Sequence, residues 1–170
     1  MATAITLTSL EAQLANHSAL PLRATLGSTM LYHGISKLKP QGLEQTAQFF
    51  DNIGIKPGRT WALATGWTEA VAGVLTFLGI GTRVAAVSIL VTQAMAIAKV
   101  HGSKGFNNQA GGYEFNLSLI AGALGLLLGG PGLLSVHHVV QPRARRHGGL
   151  LGLLRRQSVS PVSRFAPLLA

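Results

Sequence analysis

The chain has 170 residues, of which 48% are hydrophobic and only 11% are charged, and its formal net charge is +9. A soluble domain would usually carry about a quarter charged residues, so this composition argues against a water-coated globule and favours one membrane domain. There is no cysteine, which excludes disulfides, thiolate-ligated iron–sulfur clusters and thiol redox chemistry by this chain alone.

The positive charge does not by itself predict nucleic-acid binding. Six of the 14 basic residues lie near the end of the chain, namely Arg143, Arg145, Arg146, Arg155, Arg156 and Arg164. No aromatic side chains interleave them, whereas single-stranded nucleic-acid sites usually stack bases on aromatic rings. Because anionic headgroups attract such tails equally well, we predict membrane lipids, and not nucleic acid, as partners.

The start of the chain is predicted to be a polar lead-in followed by a first, short membrane span. Residues 1–19 have no basic start and no long apolar stretch, so they do not look like a signal peptide. The first span is predicted at about 21–39, with Arg23 and Lys37 snorkelling to the two interfaces. A polar stripe that includes His33 is expected to face other helices, because polar groups are costly in lipid.

The connection that follows, residues 40–58, is too polar to span a membrane. Leu43, Ala47 and Phe50 recur at helical spacing, with polar residues between them. This pattern predicts a short amphipathic helix that lies in the headgroup region.

The second span, at about 60–80, contains a single carboxylate within an apolar run. About 22 residues at 1.5 Å each can cross a hydrocarbon core of roughly 30 Å. Small residues recur along this span at helical spacing: Ala62, Gly66, Ala70 and Gly73. Since small residues let helices approach closely in lipid, Glu69 beside them is predicted to face the bundle.

The last two spans are predicted at about 83–99 and 113–130, joined by a loop rich in glycine and asparagine. Residues 139–170 are predicted to be a basic, disordered tail. Four spans place both termini on one side, which carries slightly more lysine and arginine, so the termini are predicted to be cytoplasmic in the inner membrane. The expected fold is an all-α integral membrane four-helix bundle with a short interfacial helix in its first loop.

Five short motifs occur in an order that resembles the DoxX family of four-helix membrane proteins, over about residues 20–138. They are Arg23-xxx-Gly27-xx-Met30-xx-His33-Gly34-xx-Lys37-Leu38; Glu69 with Gly73 and Leu78-Gly-Ile-Gly-Thr-Arg83; Lys99-Val-His101-Gly; Gly111-Gly-Tyr113-Glu114; and Gly130-Pro131-Gly132-xx-Ser135. One position departs from the family pattern. An acidic residue commonly follows two positions after the final serine, and His137 stands there instead.

The resemblance implies a membrane subunit associated with quinone-linked oxidation. Some relatives belong to a thiosulfate:quinone oxidoreductase, and others partner detoxifying redox enzymes, so a partner redox protein is expected. Histidines and a membrane-buried carboxylate suit hydrogen bonding to a quinone and proton transfer. We predict Glu69, His33 and His101 as the catalytic residues.

These residues are expected to line one cavity in the non-cytoplasmic half of the bundle, and this cavity is expected to bind a quinone. We predict that its cofactor-binding residues are His33, Glu69, Tyr113 and Glu114. No metal is predicted, because haem ligation by His33 and His101 would need facing positions at one depth.

Each of these residues also has a structural interpretation. Glu69 and His33 can be hydrogen-bonding residues of helix packing, and Tyr113 can belong to an interfacial aromatic belt. Two other functional classes therefore remain open, a non-catalytic membrane scaffold and a small proton-coupled transporter that uses Glu69 as its relay. Self-association of the chain is also left open.

Overall fold

The computed structural model describes residues 17–136, and this part of the chain is helical with no strand. Its α-helices are α1 (Ala19–Leu38), α2 (Pro40–Asn52), α3 (Gly58–Leu78), α4 (Thr82–Ala96) and α5 (Glu114–Gly129). The all-α prediction is confirmed for this part. Most of the predicted lead-in, the basic tail and His137 lie outside the described residues.

Two helical segments are long and apolar enough to cross a membrane, Gly58–Leu78 and Thr82–Lys104. The second includes α4 and continues through a π-helical turn at Ile97–His101 and a 3₁₀ turn at Gly102–Lys104. Within the most apolar 18-residue stretch of each segment, only 39% of Gly58–Leu78 and 22% of Thr82–Lys104 is buried. The core helix of a water-soluble protein would be mostly buried, so these helices keep apolar surface that lipid or a partner must cover.

Helix α2 forms where an amphipathic helix was predicted, and it packs along the beginning of α3. Leu43 and Ala47 of α2 are buried in one cluster with Ala62 of α3. The Asp51 carboxylate Oδ1 accepts a hydrogen bond of 2.8 Å from the backbone N–H of Gly58. Because Gly58 is the first residue of α3, this contact satisfies an N–H group that has no partner within the helix.

Helices α1 and α3 pack backbone against backbone through glycines. A Cβ atom on Gly27 of α1 would lie 2.7 Å from the Phe77 backbone nitrogen and 2.9 Å from the Gly73 carbonyl oxygen. A Cβ atom on Gly73 of α3 would collide with the Leu31 backbone nitrogen in the same way. The small-residue stripe predicted for this span is therefore confirmed as a helix-packing face, and its members are buried: Ala62, Gly66, Ala70 and Gly73.

The apolar core lies where α1, α4 and α5 meet, and Ala72 of α3 also contributes to it. Leu26 and Met30 of α1 are buried there with Ile89 of α4 and with Ala123 and Leu126 of α5. Leu126 and Met30 are each 1% exposed and Ile89 is fully buried. Alanine on one helix against larger side chains on its neighbours lets these helices pack closely.

Arg23 of α1 ties together the ends of two other helices. Its guanidinium donates to the carbonyl oxygens of Thr76 at 3.1 Å and Phe77 at 2.8 Å, in the last turn of α3. It also donates to the carbonyls of Pro131 at 2.9 Å and Leu134 at 2.7 Å, after α5. Arg23 is 3% exposed, so the prediction that it snorkels to the interface is wrong: carbonyls of the last turn of α3 and of the turn after α5 solvate its charge.

Glycines shape the space for this guanidinium. Gly79 follows α3 with φ +72°, and a Cβ atom there would lie 2.6 Å from the Arg23 Cζ atom. Gly130 and Gly132 also have positive φ, at 75° and 72°, and turn the chain so that the Pro131 carbonyl reaches the same group. A left-handed glycine after a helix is the common C-terminal stop.

Replacing Gly73 with alanine is expected to separate α1 from α3. The added Cβ meets backbone atoms of α1, which cannot rotate away as a side chain would, so we expect a loss of about 1–3 kcal/mol of stability. Thermal unfolding in detergent, followed by circular dichroism, measures it. Gly129→Ala is the matched control, since a Cβ at Gly129 meets nothing within 4 Å; equal stability of the two variants would contradict the backbone contact.

Replacing Arg23 with lysine is expected to destabilise the fold although the charge is kept. An ammonium cannot reach four carbonyls in the planar arrangement of a guanidinium, and losing charge-assisted hydrogen bonds of about 1.5–3 kcal/mol each should lower stability by roughly 3 kcal/mol. Arg83→Lys is the control, because Arg83 is exposed. A similar melting temperature for both variants would show that the carbonyl contacts contribute little.

Candidate functional site

An ion pair joins the predicted carboxylate to α1. Lys37 Nζ lies 2.5 Å from Glu69 Oε2, and the two side chains are 25% and 7% exposed. The pair forms where α1 and α3 are closest, because a Cβ on Gly34 would meet the Ala70 backbone nitrogen and the Gly66 carbonyl oxygen. Glu69 faces the bundle as predicted. The interpretation of Lys37 as a snorkelling anchor is wrong, since its ammonium turns inward to this carboxylate.

This ion pair lines a cavity of about 1050 Å³. All five α-helices of the described part contribute to its lining. The polar side chains most relevant to chemistry are His33, Lys37, Glu69, Gln93, His101 and Asn116. Drug-sized ligands usually occupy cavities of about 300–1,000 Å³ with a few polar groups on an apolar wall, so this cavity is large enough for an organic ligand.

His33 stands one helical turn before Lys37 on the same face of α1, and it is half-buried. Its ring lies 5.9 Å from the Phe115 ring and 5.8 Å from the Tyr32 ring, measured between centroids. Within residues 17–136 neither imidazole nitrogen makes a hydrogen bond. His33 therefore brings an uncommitted donor or acceptor to the cavity wall.

His101 also lines the cavity, from the π-helical turn that follows α4. Its Nδ1 atom lies 2.6 Å from the Gly111 carbonyl oxygen. Because a carbonyl can only accept, Nδ1 carries the hydrogen, which leaves Nε2 as the ring nitrogen that faces no partner in this contact. The loop between α4 and α5 thus fixes the orientation of this imidazole.

Two other predicted site residues make contacts with the loop. Tyr113 stacks edge-on with Phe106 at 5.7 Å between ring centroids. The Glu114 carboxylate Oε2 accepts a hydrogen bond of 3.3 Å from the backbone N–H of Asn108. Neither residue lines the cavity that His33, Glu69 and His101 share. Their assignment as ligand-binding residues stays a prediction.

Two buried amides complete the polar part of the lining. Asn116 Nδ2 of α5 donates to Gln93 Oε1 of α4 at 2.8 Å. Gln93 Nε2 in turn points at the Met30 sulfur of α1, 3.7 Å away. The two amides are 7% and 5% exposed. They link α1, α4 and α5 across the bundle.

The charge around the cavity is positive. Its lining contains Lys37, Lys56 and Lys99 but only one acidic residue, Glu69. Lys56 and Lys99 are exposed and make no ion pair within the described residues. This excess of positive charge favours ligands whose polar atoms are electron-rich oxygens. In the same part of the chain, no three histidine or acidic side chains cluster as a metal site.

Comparison with known proteins agrees with the first three of the five motifs, and the last two lie beyond the family match. The DoxX family model matches residues 18–102, half of the chain. The chain is 34% identical over 117 residues to "Putative oxidoreductase CatD" of Bacillus subtilis, covering 69% of this chain and 82% of that protein. The chain belongs to the DoxX family.

Another relative, the "Uncharacterized membrane protein Rv3486" of Mycobacterium tuberculosis, is 32% identical over 142 residues, which cover 77% of this chain and 86% of the relative. No solved structure matches significantly. The DoxX match runs from the beginning of α1 to the end of the π-helical turn. It therefore includes the Lys37–Glu69 pair, His33 and His101.

Several residues of this DoxX chain that line the cavity were not predicted as site residues. The sequence could have predicted Lys37 as a lining residue, since it follows His33 by four residues on one helix face. A different sequence feature could have predicted Gln93 and Asn116: each is an amide within an apolar span, where burial demands a hydrogen-bond partner. No sequence feature predicts Lys56 as a lining residue, because a lysine in a polar connection is usually solvated.

Removing one partner of the ion pair is expected to destabilise this DoxX protein more than removing both. Lys37→Met leaves a buried carboxylate unpaired, which costs about 3–5 kcal/mol for a fully buried pair and less here because Lys37 is 25% exposed. The double variant Lys37→Met/Glu69→Met leaves no uncompensated charge. Thermal unfolding of the three proteins in nanodiscs measures the difference.

The exposed pair Arg59–Glu44 is the internal control, since these atoms lie 3.5 Å apart and the side chains are 67% and 57% exposed. Arg59→Met should change stability by less than about 1 kcal/mol. A Lys37→Met protein as stable as the double variant would mean that Glu69 needs no partner.

Proposed function

We propose that the chain is an integral membrane protein in which α1, α3, α4 with its extension, and α5 span the bilayer. Support comes from the two long apolar segments, from membership of the DoxX family, and from a relative named as a membrane protein. Large apolar side chains are exposed on these helices, among them Trp67, Val84 and Leu128, and lipid would cover them. Helix α2, with polar residues on its outer face, would lie in the headgroup layer.

The four spans would place both termini on the cytoplasmic side of the inner membrane, because that side carries the basic tail. Under this topology the cavity opens in the half of the bundle that holds Lys37, Lys56 and Lys99. Glu69 lies about ten residues, roughly 15 Å, beyond Arg59 along α3. The ion pair would therefore sit within the hydrocarbon depth and the lysines nearer the headgroups.

We propose that this cavity binds a quinone and that the protein serves as a membrane subunit of a redox system. The observation that carries the proposal is the shared lining of one 1050 Å³ cavity by the Lys37–Glu69 pair and two histidines. One relative is named as an oxidoreductase, which supports the redox class. The sequence has no cysteine, so a partner redox protein would exchange the electrons.

The residues present fit a quinone. Its two carbonyl oxygens need hydrogen-bond donors, and His33 offers ring nitrogens with no partner among residues 17–136. Its flat ring needs an apolar slot, and Phe115, Leu119 and Val91 line the same space. A bound quinone supplies two-electron, two-proton chemistry.

Each polar group has a distinct task in this proposal. Lys37 holds the Glu69 carboxylate in place through Oε2, so that Glu69 can take up or release a proton at its other oxygen, Oε1, within the bilayer. His33 donates to or accepts from a ligand oxygen and can pass protons between the ligand and this carboxylate. His101, fixed through Nδ1, keeps Nε2 as a proton acceptor near the surface.

Quinone binding by the purified protein in nanodiscs tests the proposal. We expect saturable binding by the wild type and roughly 10- to 100-fold weaker binding by His33→Phe and Glu69→Gln, because each loses a hydrogen bond worth about 1.5–3 kcal/mol when charged groups take part. His33→Phe keeps an aromatic ring and removes only the nitrogens. Glu44→Gln is the matched control, an exposed carboxylate that does not line the cavity.

Melting temperatures must show that every variant is folded before affinities are compared. No binding by the folded wild type would overturn the quinone site and favour a scaffold that recruits another protein. Binding that Glu69→Gln and His33→Phe leave unchanged would place the ligand elsewhere.

A further inference from the structure

We infer that the Gln93–Asn116 amide pair forms a second hydrogen-bonding site in the cavity. This pair binds one oxygen of the ligand, both when the ligand is oxidised and when it is reduced. This inference rests on the proposed quinone site, and it names the residues that let the site bind both the quinone and its reduced form. Neither residue belongs to the ion pair or to the histidines.

The geometry leaves hydrogen-bonding capacity in this pair. A primary amide has two N–H donors and a carbonyl oxygen with two lone pairs. Asn116 uses one N–H toward Gln93 Oε1, and its own Oδ1 accepts no hydrogen bond within residues 17–136. Gln93 Nε2 points one N–H at the Met30 sulfur, which is a weak acceptor.

The unused oxygen of this pair can be reached from open space. Gln93 and Asn116 are more than nine-tenths buried as residues, yet among residues 17–136 the fully buried side-chain atoms without a partner are Thr76 Oγ1 and Thr82 Oγ1, and Asn116 Oδ1 is not one of them. Both side chains line the cavity. A polar atom that enters the cavity is therefore the partner that can satisfy Asn116 Oδ1 and the remaining N–H groups.

The chemistry of an amide fits both redox forms of the ligand. A quinone carbonyl only accepts, and an amide N–H can donate to it. The hydroxyl of the reduced form also donates, and Asn116 Oδ1 can accept from it. An amide does this without changing its charge, whereas a lysine only donates and an ionised carboxylate only accepts. The pair can thus hold one end of the ligand while the Lys37–Glu69 end exchanges protons.

A purely structural role would not explain the leftover groups. Linking α4 to α5 needs only the bond from Asn116 to Gln93. Apolar residues of similar volume would join these helices without any desolvation cost, as the alanine and leucine contacts between them already do. The free oxygen and N–H groups toward the cavity are what a ligand-binding role predicts.

The test compares Asn116→Leu and Gln93→Met with wild type in nanodiscs, with affinities measured separately for a short-chain benzoquinone and for its reduced hydroquinone. We expect both variants to lose about tenfold in affinity for both forms, since one neutral hydrogen bond is worth roughly 1 kcal/mol or more when buried. Met30→Leu is the matched control: it removes the sulfur contact, keeps the volume and should bind as wild type does.

Infrared spectroscopy supplies a readout that helix packing alone would not change. A carbonyl that accepts a hydrogen bond stretches at lower frequency, so the bound benzoquinone should lose one such shift in Asn116→Leu and keep it in Met30→Leu. Folded variants with unchanged affinities and unchanged carbonyl frequencies would overturn the inference. If Asn116→Leu fails to fold, Gln93→Met carries the same comparison.

The outcomes also separate this inference from the proposed function. Absence of binding by the wild type would overturn both. Wild-type binding that Glu69→Gln weakens but the amide variants do not would overturn the role of the amide pair and leave the quinone site standing.

Discussion

The backbone contact between α1 and α3 is the constraint on which the remaining structure depends. Gly27, Gly34 and Gly73 allow the two helices to approach until backbone atoms touch, and dispersion between closely packed backbones replaces the hydrophobic driving force that lipid cannot supply. At this separation Lys37 reaches Glu69 at 2.5 Å. The glycine packing and the ion pair therefore join the same two helices.

Arg23 fixes the other end of α1 against its neighbours. A buried guanidinium needs several acceptors, and the carbonyls at helix ends are acceptors that lack helical partners. Gly79 provides the space, and the turn after α5 provides two further carbonyls. One residue thus fixes α1, α3 and the end of α5 together. Arg23 therefore fixes one end of the bundle, and the Lys37–Glu69 pair joins α1 to α3 at the other end, where the cavity lies.

Much of this fold could be predicted from the sequence, and part of the site could not. Apolar runs broken by glycine and proline placed the helices, and the small-residue stripe indicated which way Glu69 faces. The partners of Arg23 and Lys37 follow from the packing of residues far apart in the chain, which no local pattern encodes. The contact of Glu114 with the Asn108 backbone in the loop likewise has no local sequence signal, and its predicted role in ligand binding stays a prediction.

The polar groups in the cavity divide into those that change charge and those that cannot. Lys37, Glu69 and the histidines can exchange protons, and Gln93 and Asn116 cannot under any ordinary condition. A membrane protein that only needed rigid packing would avoid both kinds, because each must find partners without water. Since the chain keeps both kinds around one cavity, with glycines and Arg23 supplying rigidity elsewhere, the ligand that we propose would give both kinds of group a polar partner.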